Sequence, residues 1–264
     1  MIKLTRENCP VELTEEVKDG LTQQFISDGK SVWKKDYIEE NLLKSSHNKC
    51  AYCECRVDRE SKYMEVEHYH DKHTYPKEVV EWENLLPSCK RCNGNKSTFD
   101  TIANDFINPF SMNPQEHLIL NKYRFYPISN AAKNTIDQLL LNDSQRLVMQ
   151  RFEIAETVNS KIEELYERAI EYKSNIKRTG QNRNKIVNGV ENLLTEALPK
   201  ASYCATVATA IVNDVHFLLI KNILIDESLW TESMEQKLYE VQGNALDTNV
   251  KRSIDFLKAV HKQY

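Results

Sequence analysis

The sequence predicts a mainly helical protein with a small cysteine-stapled insert, α+β overall. Three observations lead there. Only six of the 264 residues are glycine, which favours helix over a loop-rich all-β chain. Beyond Pro127, apolar residues recur every three or four positions almost to the end, the period of one helix face. Between Lys49 and about Phe110 that period disappears, and cysteines, histidines and asparagines replace it. The expected division is 1–48 as an N-terminal helical segment, 49–112 as the insert and 113–264 as a helical region.

Thr14, followed by Glu15 and Glu16, predicts the start of a first helix. Trp33, Tyr37, Ile38, Leu42 and Leu43 share one face of a second. In the insert, "YMEVEHY" alternates like a strand, with Met64, Val66 and His68 on one side and Glu65, Glu67 and Tyr69 on the other. "NGNKSTFDTIANDF" reads as a short helix closed by Asn108-Pro109. From a cap at Asp143 or Ser144, the spacing of Val148, Phe152, Ala155, Val158, Ile162, Leu165, Ala169, Tyr172 and Ile176 predicts one helix running to Gly180. At roughly 35 residues it would be about 50 Å long, either an arm with a coiled-coil-like seam or a helix over which shorter ones pack. Further helices are expected at 186–198, 205–224, 233–241 and 250–264.

Composition excludes several classes. There is no G-x-x-x-x-G-K-[ST] and no G-x-G-x-x-G, so phosphate-cradling loops of those types are absent. The formal net charge of −4 gives no support to a free-standing nucleic-acid binder. The N-terminus lacks the apolar core of a signal peptide, and no apolar run approaches a membrane span. The reading is a soluble, cytoplasmic protein, whose seven cysteines serve as metal ligands or plain thiols rather than disulfides.

Cys50-x-x-Cys53 and Cys89-x-x-Cys92 carry matched spacing, 35 residues apart. Each C-x-x-C turn aims two sulfurs at one point, and four thiolates close a tetrahedral zinc ion. Such a closed site is structural. Lys49 and Arg56 beside one pair, Lys90 and Arg91 within the other, help hold thiolates. Cys55 is a neighbour of low weight, while Cys9 and Cys204 stand alone.

Between the cysteines lies Glu67-His68, then "WENLLPSCKRCNGNKS". The order C-x-x-C, acid-His, Asn-Leu, C-x-x-C-Asn, Lys resembles the HNH endonucleases, and the resemblance implies a ββα-metal hairpin and helix inside the zinc-stapled module. It implies Glu67 as acidic metal ligand, His68 as general base, Asn84 as the residue orienting that histidine and Asn93 as second metal ligand. Lys96, with Lys90 and Arg91 before it, is expected to face phosphate. Hydrolysis of a phosphodiester needs a water deprotonated near neutrality and a divalent ion, Mg2+ or Mn2+, held by hard oxygen ligands. Asn93 is also placed at a helix N-terminus, where free N–H groups favour an anion. Two positions depart from the family: Glu67 stands where aspartate is usual, and Tyr69-His70-Asp71 where Ile-x-Pro often follows. In a regular strand Glu67 and His68 would face opposite ways, so the strand is expected to end or bulge there. His70 and His73 are expected as solvated loop residues.

The segments "CAYCE", "EHYHDKHTYP", "WENLLPSCKRCNGNK", "INPF" and "NTIDQLLLNDSQRLVMQRFEI" follow the order seen in one subgroup, the HNH proteins of Septu-type antiviral systems (PtuB) and of retron-associated systems. That resemblance covers the chain to about residue 155. It implies phage defence and a partner ATPase of the ABC/SMC-like class, PtuA. DNA ahead of RNA is the expected nucleic acid substrate. Two further features accord with it. The chain has no nucleotide-binding motif of its own, and residues 49–100 hold nine Lys/Arg against ten Asp/Glu, a weak capture surface for phosphate. The one basic stretch, residues 172–190, holds Lys173, Lys177, Arg178, Arg183 and Lys185 without an acid. Nucleic acid, solvent or an acidic partner each suit it. The alternative reading is a catalytically inactive zinc-stapled adaptor whose helices bridge protein partners.

Overall fold

In the computed structural model, which describes residues 1–59 and 62–261, Thr14 opens the first helix. Its hydroxyl accepts from the N–H of Val17 at 3.3 Å, satisfying one orphan donor of the first turn. Helix α1 spans Glu15–Asp28 and stops at Gly29, whose φ of 69° is a left-handed cap suited to glycine. Helix α2 spans Asp36–Ser45, three residues later than Trp33 would have begun it. Strands β1 (Asp58–Arg59), β2 (Lys62–His68) and β3 (Leu85–Cys89) form an antiparallel sheet in that order. Helix α3 (Lys90–Lys96) follows β3 directly, with Cys89 as its N-cap.

The inner face of this sheet is closed by α1 and α2. Phe25, Ile38, Leu42, Val66, Val79, Val80, Trp82 and Leu85 form one buried cluster, with Trp33 and Met64 at its margin. Each aliphatic side chain buried there stabilises by about 1.5–3 kcal/mol. The N-terminal segment is tied to the same body. Arg6 donates to the carbonyls of Trp82 (2.8 Å), Leu85 (2.7 Å) and Glu83 (3.2 Å), and its guanidinium lies 4.0 Å from the Phe110 ring centre. Burial holds that guanidinium down at about 10.

Two compact units result. The first comprises Met1–Leu118, Phe125–Asn142 and helix α10 (Lys251–His261); the second comprises Ile119–Arg124 and Asp143–Val250. The boundary expected near residue 112 thus falls at 142, because α4 (Asn130–Gln138) belongs with the module. The asparagine-rich run after Cys92 is not a helix throughout: α3 ends at Lys96, Ser97 takes a φ of 49°, and turns follow. A short hairpin of β4 (Leu118–Asn121) and β5 (Arg124–Pro127) was not foreseen.

In the second unit the long helix is shorter than its periodicity suggested. A π-helical turn, Ser144–Val148, capped by Asp143, leads into α5, Met149–Lys173. The helix closes at Ser174, with Asn175 left-handed at φ 62°. Gly180 is the first residue of α6 (Gly180–Glu196), capped by Thr179. Apolar positions continue past Lys173, but Asn175 turns the chain back. Helices α6, α7 (Cys204–Val212) and α8 (Val215–Asp226) all pack on α5. Helix α9 (Glu232–Asn244) packs on α6 and α7. The core joins Val158, Ile162, Leu165, Ile186, Leu194, Ile211, Phe217 and Ile220, so shorter helices cover α5. Asp214 accepts from the N–H of Phe217 and splits the run 205–224 in two. Residue 264, the expected end of the last helix, lies outside the described residues.

Candidate active site and zinc site

The four cysteines of the two C-x-x-C turns meet. The sulfurs of Cys50, Cys53, Cys89 and Cys92 all lie within 4.8 Å of one another, and those of Cys53 and Cys89 are 3.7 Å apart. A tetrahedral ion with bonds of about 2.3 Å separates its sulfurs by about 3.8 Å, so the donor set fits zinc. Local folding builds the first knuckle: the N–H of Cys50 donates to Cys55 at 2.9 Å and that of Glu54 to Cys50 at 3.0 Å, with Glu54 left-handed at φ 63°. The second knuckle is the strand-to-helix junction of β3 and α3. Cys55 and Cys204 lie outside the four-sulfur group, and Cys9 is exposed.

Strand β2 does not bulge. Its ladder with β3 runs regularly from Met64↔Cys89 to Glu67↔Leu86 and His68↔Leu85, so Glu67 and His68 stay on opposite faces. Both are buried, at 2% and 5% exposure. Glu67 turns toward α3 and pairs with Lys96, Oε1 to Nζ 2.7 Å. Lys96 has no exposed surface and also donates to the carbonyl of His68 at 2.7 Å. Burial pushes the Glu67 carboxyl up to about 7, against the pull of the Lys96 charge. Two expectations therefore change. Lys96 does not face phosphate, because Glu67 and the strand hold it inside. As folded, Glu67 does not fit a divalent ion, since an ammonium already neutralises it and two cations would crowd one buried carboxylate.

His68 turns the other way. Its Nε2 lies 3.0 Å from the carbonyl of Val79, and its ring meets Trp33 edge-on at 4.6 Å. A carbonyl only accepts, so Nε2 carries the hydrogen and Nδ1 the lone pair. Burial, then the charge of Lys72, drive the imidazole down to about 3, with the Val79 bond opposing. The ring is neutral and weakly basic.

Asn84, expected to orient His68, bonds the main chain of His70 instead. The N–H of Tyr69 donates to the Asn84 carbonyl at 2.8 Å, the last backbone rung after His68. The Asn84 side chain then continues the ladder: Oδ1 accepts from the N–H of His70 at 2.6 Å, and Nδ2 donates to the carbonyls of His70 (3.2 Å) and Glu78 (3.0 Å). A carboxamide offers both donor and acceptor, as a peptide does. The next turn is held by the buried Asp71, whose Oδ2 accepts from the N–H groups of His73 and Thr74 and from the Thr74 hydroxyl. His73 is exposed. Asn93 donates to Glu65 at 2.7 Å and sits midway along the seven-residue α3, not at its N-terminus. Arg91 is bound to the carbonyls of Leu139 and Leu140 and to Cys92 Sγ. Lys90 is the exposed member of the expected phosphate-facing three.

The chain is 44% identical over 247 residues to the Septu protein PtuB of Bacillus thuringiensis, covering 93% of this chain and 95% of that protein. The chain belongs to the Septu PtuB family. A second PtuB, from Bacillus mycoides strain KBAB4, is 31% identical over 160 residues, 45% of this chain and 54% of that one. No family model matches the chain, and no solved structure matches it.

Several residues of this PtuB family member that matter to the site were not singled out in the sequence. Trp33 closes His68 from the turn before α2, and Glu65 takes the carboxamide of Asn93. Glu78 meets His70, with Nδ1 2.5 Å from Oε2. The strand alternation pointed to Glu65 beside Glu67; nothing in the linear order pointed to Glu78. The basic stretch is largely neutralised from within: Lys173 pairs with Asp226 (2.7 Å), Lys177 with Glu171 (2.6 Å) and Arg178 with Glu227 (2.5 Å). Among the described residues, no single helix is long and apolar enough to cross a membrane.

Proposed function

We propose that this PtuB family member is a metal-dependent HNH endonuclease, the effector of a cytoplasmic antiviral Septu complex with an ABC/SMC-like ATPase of the PtuA class. Its substrate would be nucleic acid, DNA in preference to RNA. The observation that carries this reading is the frame: two antiparallel strands and a short helix, closed by four thiolates, with the acid-His pair and both asparagines inside it. Kinship with PtuB over nearly the whole chain supports the defence setting and the partner.

His68 is the base that the resemblance implies, and its burial sets a condition: the imidazole must be uncovered by substrate or partner. The Mg2+ or Mn2+ of the proposal has a matching condition, because Glu67 becomes a ligand only if Lys96 releases it. The test is cleavage of DNA and RNA by the full chain, alone and co-purified with its neighbouring ATPase, with and without Mg2+, Mn2+ and ATP. Cleavage that needs a divalent ion and is lost in His68→Ala, with zinc and fold retained, supports the proposal in full. Metal-independent or absent cleavage in every combination ends it.

The Glu67–Lys96 pair also favours a second reading, the inactive zinc-stapled adaptor, since a carboxylate locked to an ammonium has no ion to hold. That reading expects one zinc per chain, no second divalent ion by calorimetry, no cleavage, and an intact complex with the ATPase. A second divalent ion bound to the full chain would remove it.

A further inference from the structure

We propose that the groove between α5 and α6 holds the phosphate backbone of DNA, with the exposed face of α6 as its main contact. This rests on the nuclease reading above and names a surface that would grip the substrate. The cysteine-stapled segment is a weak one, with nine Lys/Arg against ten Asp/Glu over residues 49–100, so an affinity for phosphate needs a surface elsewhere.

The groove measures about 520 Å³. It exists because Gly189 lets α6 lie against Leu165 of α5, where a Cβ would collide. On the α6 wall stand Gln181, Asn184, Lys185, Asn188 and Asn192, all exposed. Their spacing of three or four puts them on one helix face. Arg183, beside them, donates to Asn184 Oδ1 at 3.3 Å, which leaves the Asn184 amide hydrogens to donate outward. Lys185, the last cation of the basic stretch, forms no ion pair among the described residues, whereas Lys173, Lys177 and Arg178 do. The first acid of α6 is Glu191, and Lys237 takes it.

Four carboxamides in a row are a poor way to stabilise a solvated helix. Asparagine is a weaker helix former than lysine or glutamate, and an exposed face ordinarily gains from i,i+3 and i,i+4 ion pairs. The α5 wall does the ordinary thing: Glu164 accepts from Lys161 at 2.7 Å and from Arg168 at 2.9 Å. The α6 wall instead offers amide donors around a free ammonium. Across the groove Lys161, Arg168 and Lys185 face one carboxylate, Glu164. A polyanion with many acceptor oxygens fits this set, since carboxamides, lysine and arginine are the side chains that bond DNA phosphate and sugar. From Gln181 to Asn192 the stripe runs about 16 Å, and each DNA strand presents a phosphate about every 3.4 Å of its axis. Such contacts carry no base information, so the grip is independent of sequence.

The test is titration of a fluorescent DNA duplex with the full chain, alone and in its co-purified complex, over a range of salt and with no added divalent ion. Lys185→Gln should weaken binding about tenfold and flatten the slope of log affinity against log salt by about 0.9. The double variant Asn188→Ala, Asn192→Ala should weaken it by about 2- to 10-fold with the slope unchanged, because a carboxamide releases no counterion. Lys122→Gln, the same loss of charge on the exposed hairpin tip between β4 and β5, should bind like wild type. Melting temperature and zinc content should hold in all of them. Wild-type affinity in both groove variants, or an equal loss in Lys122→Gln, overturns the proposal. So does loss of the co-purified ATPase from the groove variants with DNA affinity retained, which would give the face to a protein partner. So does a wild type that binds no DNA, alone or in the complex. The nuclease reading is judged by cleavage: a wild type that binds DNA through this groove and never cuts it overturns that reading alone.

Discussion

Glu67 and Lys96 form a buried ion pair, 2.7 Å between Oε1 and Nζ, that joins the outer face of β2 to the end of α3. The two residues are 29 positions apart, and neither is appreciably exposed. Removing one partner of such a pair leaves a bare buried charge and costs about 3–5 kcal/mol. Lys96→Met should therefore lose about that much in urea unfolding, and the double variant Lys96→Met, Glu67→Gln should recover most of it. A loss below about 1 kcal/mol in the single variant would show that the pair is not what holds the helix to the strand.

The second prediction concerns acid. The folded pKa of His68 is about 3, and the unfolded value about 6.5. The unfolded chain therefore takes the proton first. The contribution is fully present above pH 6.5 and is lost as pH falls from 6.5 toward 3, by up to about 5 kcal/mol. Glu67 acts in the opposite sense: its raised pKa of about 7 gives stability present below pH 4.5 and lost as pH rises through 7. Comparing wild type with His68→Phe isolates the first term. Unfolding curves at pH 7, 5 and 4 should show wild type losing ground to the variant at each step down, and parallel curves would contradict the assignment.

Metal content gives a third. One zinc per chain is expected by elemental analysis. Cys89→Ser and Cys50→Ser should abolish it and lower the melting temperature, whereas Cys55→Ser and Cys9→Ser should retain it. Zinc loss in Cys55→Ser would bring that thiol into the coordination sphere.

A fourth tests packing in the second unit. A Cβ at Gly189 on α6 would run into the Leu165 side chain on α5, within the buried core. Gly189→Ala should cost about 1–3 kcal/mol by overpacking. Gly20→Ala, in α1 with open space around it, should instead stabilise by about 0.5–1 kcal/mol. Equal effects of the two substitutions would argue against the α5–α6 contact.

Much of this was legible in the linear order. The two C-x-x-C pairs announced their meeting, because their chemistry and spacing leave few other uses. "YMEVEHY" announced a strand and the facing of each side chain, since alternation is geometry. The expected bulge failed for a reason visible only in three dimensions: Lys96 gives Glu67 a partner on its own face, and Trp33 with Val79 gives His68 one on the other, so nothing pulls the two together. Lys96 could not be read as buried, because its burial depends on α3 lying against β2. The hydrogen-bond partners of Asn84 were not legible. Side-chain continuation of a ladder needs the register of β2 against β3, which sequence alone does not print. The end of α5 at Ser174 was hidden likewise, because the apolar period runs on beyond the turn at Asn175.

Cys89 closes β3, caps α3 and supplies one of the four sulfurs. Strand, helix and candidate zinc site thus share a single residue. A chelator that strips zinc would slacken the helix that carries Lys96, uncage the Glu67 carboxylate and loosen strand β3, just ahead of which Asn84 holds the main chain of His70. Metal starvation would then act on this protein as a fault in its hinge pin, silencing the whole module at once rather than dimming one group at a time.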